Sequence, residues 1–290
     1  NDKIFHLKPF TTGSQLVNLV SENDKIQIFQ QLGASKYTYV NFKKIVFVEG
    51  PTDYLILKSS SPKEYELQFQ AVGGIGSLTT DILDKASSVE SFFMIRDRDF
   101  FDDSKITSLE SKYDNKIKYL KRRHIENYIL DSDELFIIYD KQETKKFDTK
   151  EKMIQQLYKI SEGQFEKTLA EYYLAKNPGN TYPDRIKFEP NKSAEDMVND
   201  ALSITHSRLT TKLQNIGADI STLRTELKSG WINKWMIYAS GKDILTIFGD
   251  TEFFPKKSAD SLRELVSAKW DENKNLPQDI KDILKEFSEA

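Results

Sequence analysis

The stretch from Lys43 to Asp53, KKIVFVEGPTD, constrains this chain most. Ile45, Val46, Phe47 and Val48 are an unbroken β-branched and aromatic run. The run is too short for a helix and is closed by Gly50-Pro51, so it predicts a buried strand. The strand runs out on a carboxylate, Glu49. Gly50 and Pro51 turn the chain, and Asp53 follows at the start of a predicted helix, DYLILK. Two acids therefore fall at the carboxyl end of a strand and the amino end of the next helix. In open α/β sheets that edge is where ligands bind.

A second stretch answers the first. Ser91 to Ile95 reads as another buried strand and runs into Asp97-Arg98-Asp99. Residues two apart on an extended segment point to one side, so Asp97 and Asp99 are expected to converge. Between these strands a third is predicted from Glu66 to Val72, closed by Gly73-Gly74, with a helix from Ser77 to Ser87 after it. Right-handed crossovers then give a parallel sheet, with Glu49, Asp53, Asp97 and Asp99 around one small volume. Four carboxylates at close range raise each other's pKa or demand a cation. Hard oxygen donors without thiols suit Mg²⁺ or Mn²⁺, one ion or two, and phosphate chemistry. Taken singly, each motif reads better as solvated turn and N-cap residues; their joint placement at strand ends carries the metal reading.

Glu-Gly-x-x-Asp after a strand, Gly-Gly after the next and Asp-x-Asp after the third resemble a TOPRIM domain. VEGPTDYLIL and AVGGIGSL are most similar to the OLD-family nucleases, including those linked to ABC-type ATPases. HIENYIL, from His124, resembles the acidic segment that follows the Asp-x-Asp strand in that family. SGKDIL, from Ser240, resembles its distal lysine motif. The resemblance implies a TOPRIM, Rossmann-like parallel sheet flanked by helices, with a C-terminal helical insertion or arm. It implies a metal-dependent endonuclease, coupled to an ABC-type ATPase in an antiviral defence setting, and it gives Lys242 the task of assisting phosphodiester cleavage. Lys242 is then expected beside Asp97, with the intervening helical segment folded out and the chain returning to the sheet edge.

With 45 acidic and 42 basic side chains the net charge is −3, so a nucleic-acid partner needs a local basic patch rather than a basic chain. The chain has no cysteine. That excludes disulfides and thiolate zinc, and it agrees with a cytoplasmic protein. No apolar run has the length of a membrane span. The chain opens on Asn1 and holds no GxxxxGK[ST] phosphate loop; an ATPase, if part of the system, is expected upstream or on a separate chain.

Four regions are expected. Residues 1–42 form an N-terminal extension, with a strand in KIFHLKPF and a helix in NDKIQIFQQLG. Residues 43–131 form the catalytic core. After a polar stretch from Phe100 to Asn115 it continues in a strand from Lys116 to Leu120 and the helix Asn127 to Leu130. Lys121-Arg122-Arg123-His124 precede Glu126 at a density unusual for a turn. Glu126 is a candidate further ligand; Arg122, Arg123 and His124 are candidates to neutralise phosphate. Residues 132–229 form the helical arm, with helices at Lys150 to Ile160, Gly163 to Lys176 and Ser193 to Gly217, broken by a Pro/Gly linker from Asn177 to Pro190. Residues 230–290 carry Trp231, Trp235 and Tyr238 at helical spacing, more apt to pack than to bind, then GKDIL and two amphipathic helices.

The expected activity is cleavage of nucleic acid, DNA ahead of RNA. Glu49 serves as ligand or base, and Asp53, Asp97, Asp99 and Glu126 complete the metal set. The alternatives are an RNA (tRNA) nuclease, or a TOPRIM-type regulatory or nucleic-acid-binding domain without catalysis. A topoisomerase lacks its tyrosine context here, and a primase its zinc module. A homo-oligomer is left open, and no membrane partner is expected.

Overall fold

A computed structural model describes the backbone of residues 5–10, 13–18, 21–72, 78–176, 186, 189–203 and 216–290. The Gly73-Gly74 turn, most of the Asn177 to Pro190 linker and the middle of the helix expected from Ser193 lie outside the described residues.

Two strands, β1 (Phe5–Phe10) and β2 (Gly13–Asn18), pair antiparallel as a hairpin. Two short helices follow, α1 (Glu22–Gln31) and α2 (Lys36–Asn41), each capped by a serine hydroxyl, Ser21 and Ser35. The central sheet has four parallel strands: β3 (Ile45–Val48), β4 (Gln68–Ala71), β5 (Phe92–Arg96) and β6 (Ile117–Tyr119). Their order across the sheet is β4-β3-β5-β6. The chain leaves β3 towards one side and comes back to add β5 on the other. The gap between the carboxyl ends of β3 and β5 is therefore the topological switch point, where such sheets open a crevice.

The two central strands, β3 and β5, are buried on both faces because helices cover both. Alternate residues serve opposite cores. Ile45, Phe47, Phe92 and Met94 face one cluster with Phe29 of α1 and with Leu83 and Ala86 of α4 (Thr80–Ser87). Val46, Val48, Phe93 and Ile95 face a larger cluster. That cluster begins with Ile56 and Leu57 of α3 (Pro51–Ser60). It continues without a break through α7 (Asp133–Asp140), α8 (Lys150–Gly163), α9 (Phe165–Lys176), α10 (Ala194–Ser203) and α11 (Ile216–Lys228). It closes with α12 (Trp231–Tyr238), α13 (Gly241–Glu252), α14 (Ala259–Asn273) and α15 (Gln278–Glu289). Phe287 of α15 lies 4.8 Å, centroid to centroid, from Phe93. The expected arm and the C-terminal helices thus share one core with a face of the sheet. Among the described residues no helix is long and apolar enough to cross a membrane.

The polar stretch after Asp99 holds a helix that periodicity does not announce, α5 (Asp103–Lys112). None of its residues is buried. Asp102 starts it by accepting the Lys105 N–H at 2.8 Å.

Candidate active site

Each acid reaches the switch point for a local reason. Glu49 is the first residue beyond β3. Asp53 is fixed by the turn: Pro51 occupies the first position of α3, and the Asp53 Oδ2 accepts the Gly50 N–H at 3.0 Å. The buried face of α3 is Asp53, Ile56, Leu57 and Ser60, the i, i+3, i+4, i+7 stripe of a helix on a core. The period that buries the leucine therefore buries the carboxylate. Asp97 lies one residue past β5 and is only 6% exposed. Glu126 opens the one-turn helix α6 (Glu126–Ile129), all of whose residues are buried, and is itself fully buried.

Lys242 stands among these acids. Its Nζ lies 3.3 Å from the Asp97 Oδ2, across 145 positions of sequence. Ser240 caps α13, and the helix buries Gly241, Ile244, Leu245, Phe248, Gly249 and Glu252. Lys242 sits off that stripe, at the amino end. Gly241 approaches α6 so closely that a Cβ there would stand 2.5 Å from the Asn127 Oδ1. Asn127 is the tie. Its Oδ1 accepts the N–H groups of His124 (3.0 Å) and Gly241 (3.2 Å), and its Nδ2 donates to the Ala239 carbonyl at 3.0 Å.

Burial and mutual repulsion set the protonation balance. Burial, opposed by Lys242 and assisted by Glu126 and Glu49, pushes the Asp53 carboxyl up to about 6. Asp97 is raised well above the usual carboxylate range by burial first and then by Asp53, with Lys242 pulling the other way. Burial disfavours the Lys242 ammonium, but Asp97, Glu126 and Asp53 outweigh it and raise its pKa. Glu126 meets the Arg263 Nε at 3.0 Å, off hydrogen-bonding geometry. Both Glu126 oxygens and the Asp53 Oδ1 are buried without a hydrogen bond.

Asp99 leaves the extended geometry that the strand alternation assumes. The strand ends at Arg96, and Asp99 adopts a left-handed φ of 48°, so the two-residue alternation stops short of it. Its side chain is exposed. Desolvation and Glu49 raise its pKa against Arg123, Arg96 and Lys242.

The basic segment is turned inward. Arg122 grips Asp131 with two bonds of 2.7 and 2.8 Å, donates to the Asn127 carbonyl, and lies over the Tyr128 ring. Arg123 donates to Glu171 (2.6 Å) and the Tyr238 carbonyl (3.0 Å) and covers Phe100. His124 is buried, its Nδ1 is unpartnered, and burial with Arg123, Lys242, Lys167 and Arg263 holds its pKa well down, so the ring is neutral. These three side chains brace the site; as they stand, none offers a free cation to phosphate.

Four residues that sequence reasoning leaves out complete the site: Arg96, whose Nε donates to the Glu49 Oε1 at 2.6 Å; Arg263; Asn127; and buried Lys167, which pairs with Asp243. Arg96 has a signal, its position directly before Asp97. Arg263 and Lys167 have none, because their partners are set by helix packing. Among the described residues, no three carboxylate or imidazole groups already stand as the ligand set of an ion. Compared with known proteins, the chain matches no family model, no curated protein and no solved structure.

Proposed function

We propose that this chain is a divalent-metal-dependent nuclease of TOPRIM type. One observation carries the reading: three buried carboxylates, Asp53, Asp97 and Glu126, converge at a topological switch point with three oxygens lacking a hydrogen bond. A buried carboxylate without donors is costly unless a cation answers it, and Lys242 and Arg263 supply two charges to the group. Mg²⁺ or Mn²⁺ fits the all-oxygen donor set. Asp53, Asp97, Glu126 and, at the rim, Glu49 would hold it, with Asp99 beside Glu49. Bound there, the ion supplies an activated water and charge for the leaving oxygen. Lys242, at the amino end of α13, faces charge that develops on phosphorus oxygens. The OLD-like resemblance makes nucleic acid the substrate and an ABC-type ATPase the partner.

A second reading, a regulatory or nucleic-acid-binding domain without cleavage, is favoured by the lack, among the described residues, of a ready-made ligand set. Plasmid, linear duplex, single-stranded DNA and a tRNA pool, each with Mg²⁺ and with Mn²⁺, separate the two. Nuclease chemistry predicts cleavage that needs the ion and falls by about a hundredfold or more in Asp97→Asn. Cleavage unchanged in that variant, or absent on every substrate, refutes it.

A further inference from the structure

Among the described residues four arginines surround the strand ends, and in three of them both Nη groups are bound to protein carboxylates and carbonyls. Arg122 is forked onto Asp131, and Arg123 is held by Glu171 and a carbonyl. Arg98 is buried and bound to Asp103 and the Lys121 carbonyl. Arg96 differs. It is the last residue of β5, in register with Tyr119 of β6, and its neighbour Ile95 is in register with Val48, so it lies level with Glu49. Its Nε donates to Glu49 at 2.6 Å, and its Nη1 reaches the Tyr119 hydroxyl only at 3.5 Å. Among the described residues its Nη2 donates to nothing. The guanidinium lies 5.6 Å from the centre of the Tyr119 ring, which fixes its plane. Its side chain is about a fifth exposed, and Glu49 about a quarter. The one strong partner of Arg96 is thus a carboxylate at the rim of the cation site.

We propose that Arg96 is a phosphate-binding residue held in reserve by Glu49, and that a divalent cation, by claiming Glu49, turns the guanidinium towards a phosphate oxygen of the nucleic acid. The proposal rests on the metal reading above. A guanidinium fork matches two phosphate oxygens, and such a charge-assisted pair is stronger than a neutral hydrogen bond. Without the ion, Glu49 holds the Nε of Arg96, and among the described residues no other arginine presents a free fork at the crevice. With the ion, Glu49 changes partner while Tyr119 keeps the guanidinium in place. The coupling is reciprocal: an ion that releases Arg96 strengthens nucleic-acid binding, and bound nucleic acid strengthens ion binding by the same factor.

The test uses the whole chain as wild type, Arg96→Gln and Arg96→Lys. Mn²⁺ affinity is read by calorimetry. Affinity for a fluorescent single-stranded oligonucleotide with a cleavage-resistant phosphorothioate backbone is read by anisotropy, with and without Mn²⁺. In Arg96→Gln, Mn²⁺ should bind about threefold more tightly, because a competitor for Glu49 has gone and a partly exposed ion pair is worth about that much. Oligonucleotide binding should weaken about tenfold with Mn²⁺ and stay unchanged without it. Arg96→Lys keeps the charge and loses the fork, so it should fall between wild type and Arg96→Gln in Mn²⁺; it also decides the matter if Arg96→Gln does not fold. An equal oligonucleotide loss with and without Mn²⁺, no loss at all, or weaker Mn²⁺ binding in parallel overturns the reserve role while leaving the ion site standing. A wild-type chain that binds no Mn²⁺ removes the ion site and this proposal together.

Discussion

At the scale of single residues, the site is a balance between buried carboxylates and the cations that reach them. Asp53 shows the cost. Its carboxyl is raised from an ordinary value of 3.8 to about 6, so the folded chain holds a proton there that the unfolded chain has given up. Stability from this group is greatest below the unfolded value and falls as pH rises towards 6, where the folded carboxyl ionises. Asp97 and Asp99 shift in the same direction, whereas buried neutral His124 works against stability on acidification. The comparison of Asp53→Asn with wild type isolates Asp53, because asparagine still accepts the Gly50 N–H. In metal-free buffer at about pH 7.5 the variant should melt about 5 °C higher, and the gap should shrink at about pH 5. Scanning calorimetry at the two pH values checks it; an equal gap at both would contradict the assignment. Asp53 is legible in the sequence because one turn and one helical stripe dictate its place. The inward turn of Arg122 and Arg123 is not, since a run of cations does not disclose whether Asp131 or Glu171 will meet it. Asp99 escapes the strand alternation because its backbone leaves the extended region.

At the scale of elements, α6 and α13 form the joint that carries Lys242 to the sheet edge. Gly241 permits the contact and Asn127 fastens it, with three bonds to backbone groups of two segments. Gly241→Ala should force a shift of α13 and cost about 1–3 kcal/mol. Asn127→Ala should leave the buried N–H groups of His124 and Gly241 without an acceptor and cost about 3 kcal/mol. Urea titration measures both losses, and both variants should lose cleavage beyond what the stability loss explains. A Gly241→Ala chain as stable and active as wild type would show that the joint tolerates a methyl and that Lys242 is not held by it. The strand-turn-acid units of β3 and β5 are legible because their signals are local. α5 is not, because it buries no residue and leaves no apolar stripe to read. The α6–α13 joint is half legible: HIENYIL and GKDIL resemble paired motifs, but their contact depends on everything folded between them.

At the scale of the whole molecule, one hydrophobic cluster runs from Val46 and Val48 of the sheet to Phe287 of the last helix. The site is assembled by that core: Asp53 and Asp97 come from the sheet region, Glu126 from the short helix beyond it, Arg263 and Lys242 from C-terminal helices laid against α3 and α6. Composition and charge foretell only an ordinary balance; the strand-helix order foretells the α/β class, and the expectation that Lys242 meets Asp97, 145 positions away and here at 3.3 Å, comes from the resemblance alone. We propose that these segments, brought together, hold a divalent cation. Mn²⁺ calorimetry on wild type, Asp97→Asn and Glu126→Gln tests it most directly. Wild type should bind saturably, with binding weakened at least about tenfold in each variant and both variants still folded. Binding of equal strength in all three proteins would contradict it.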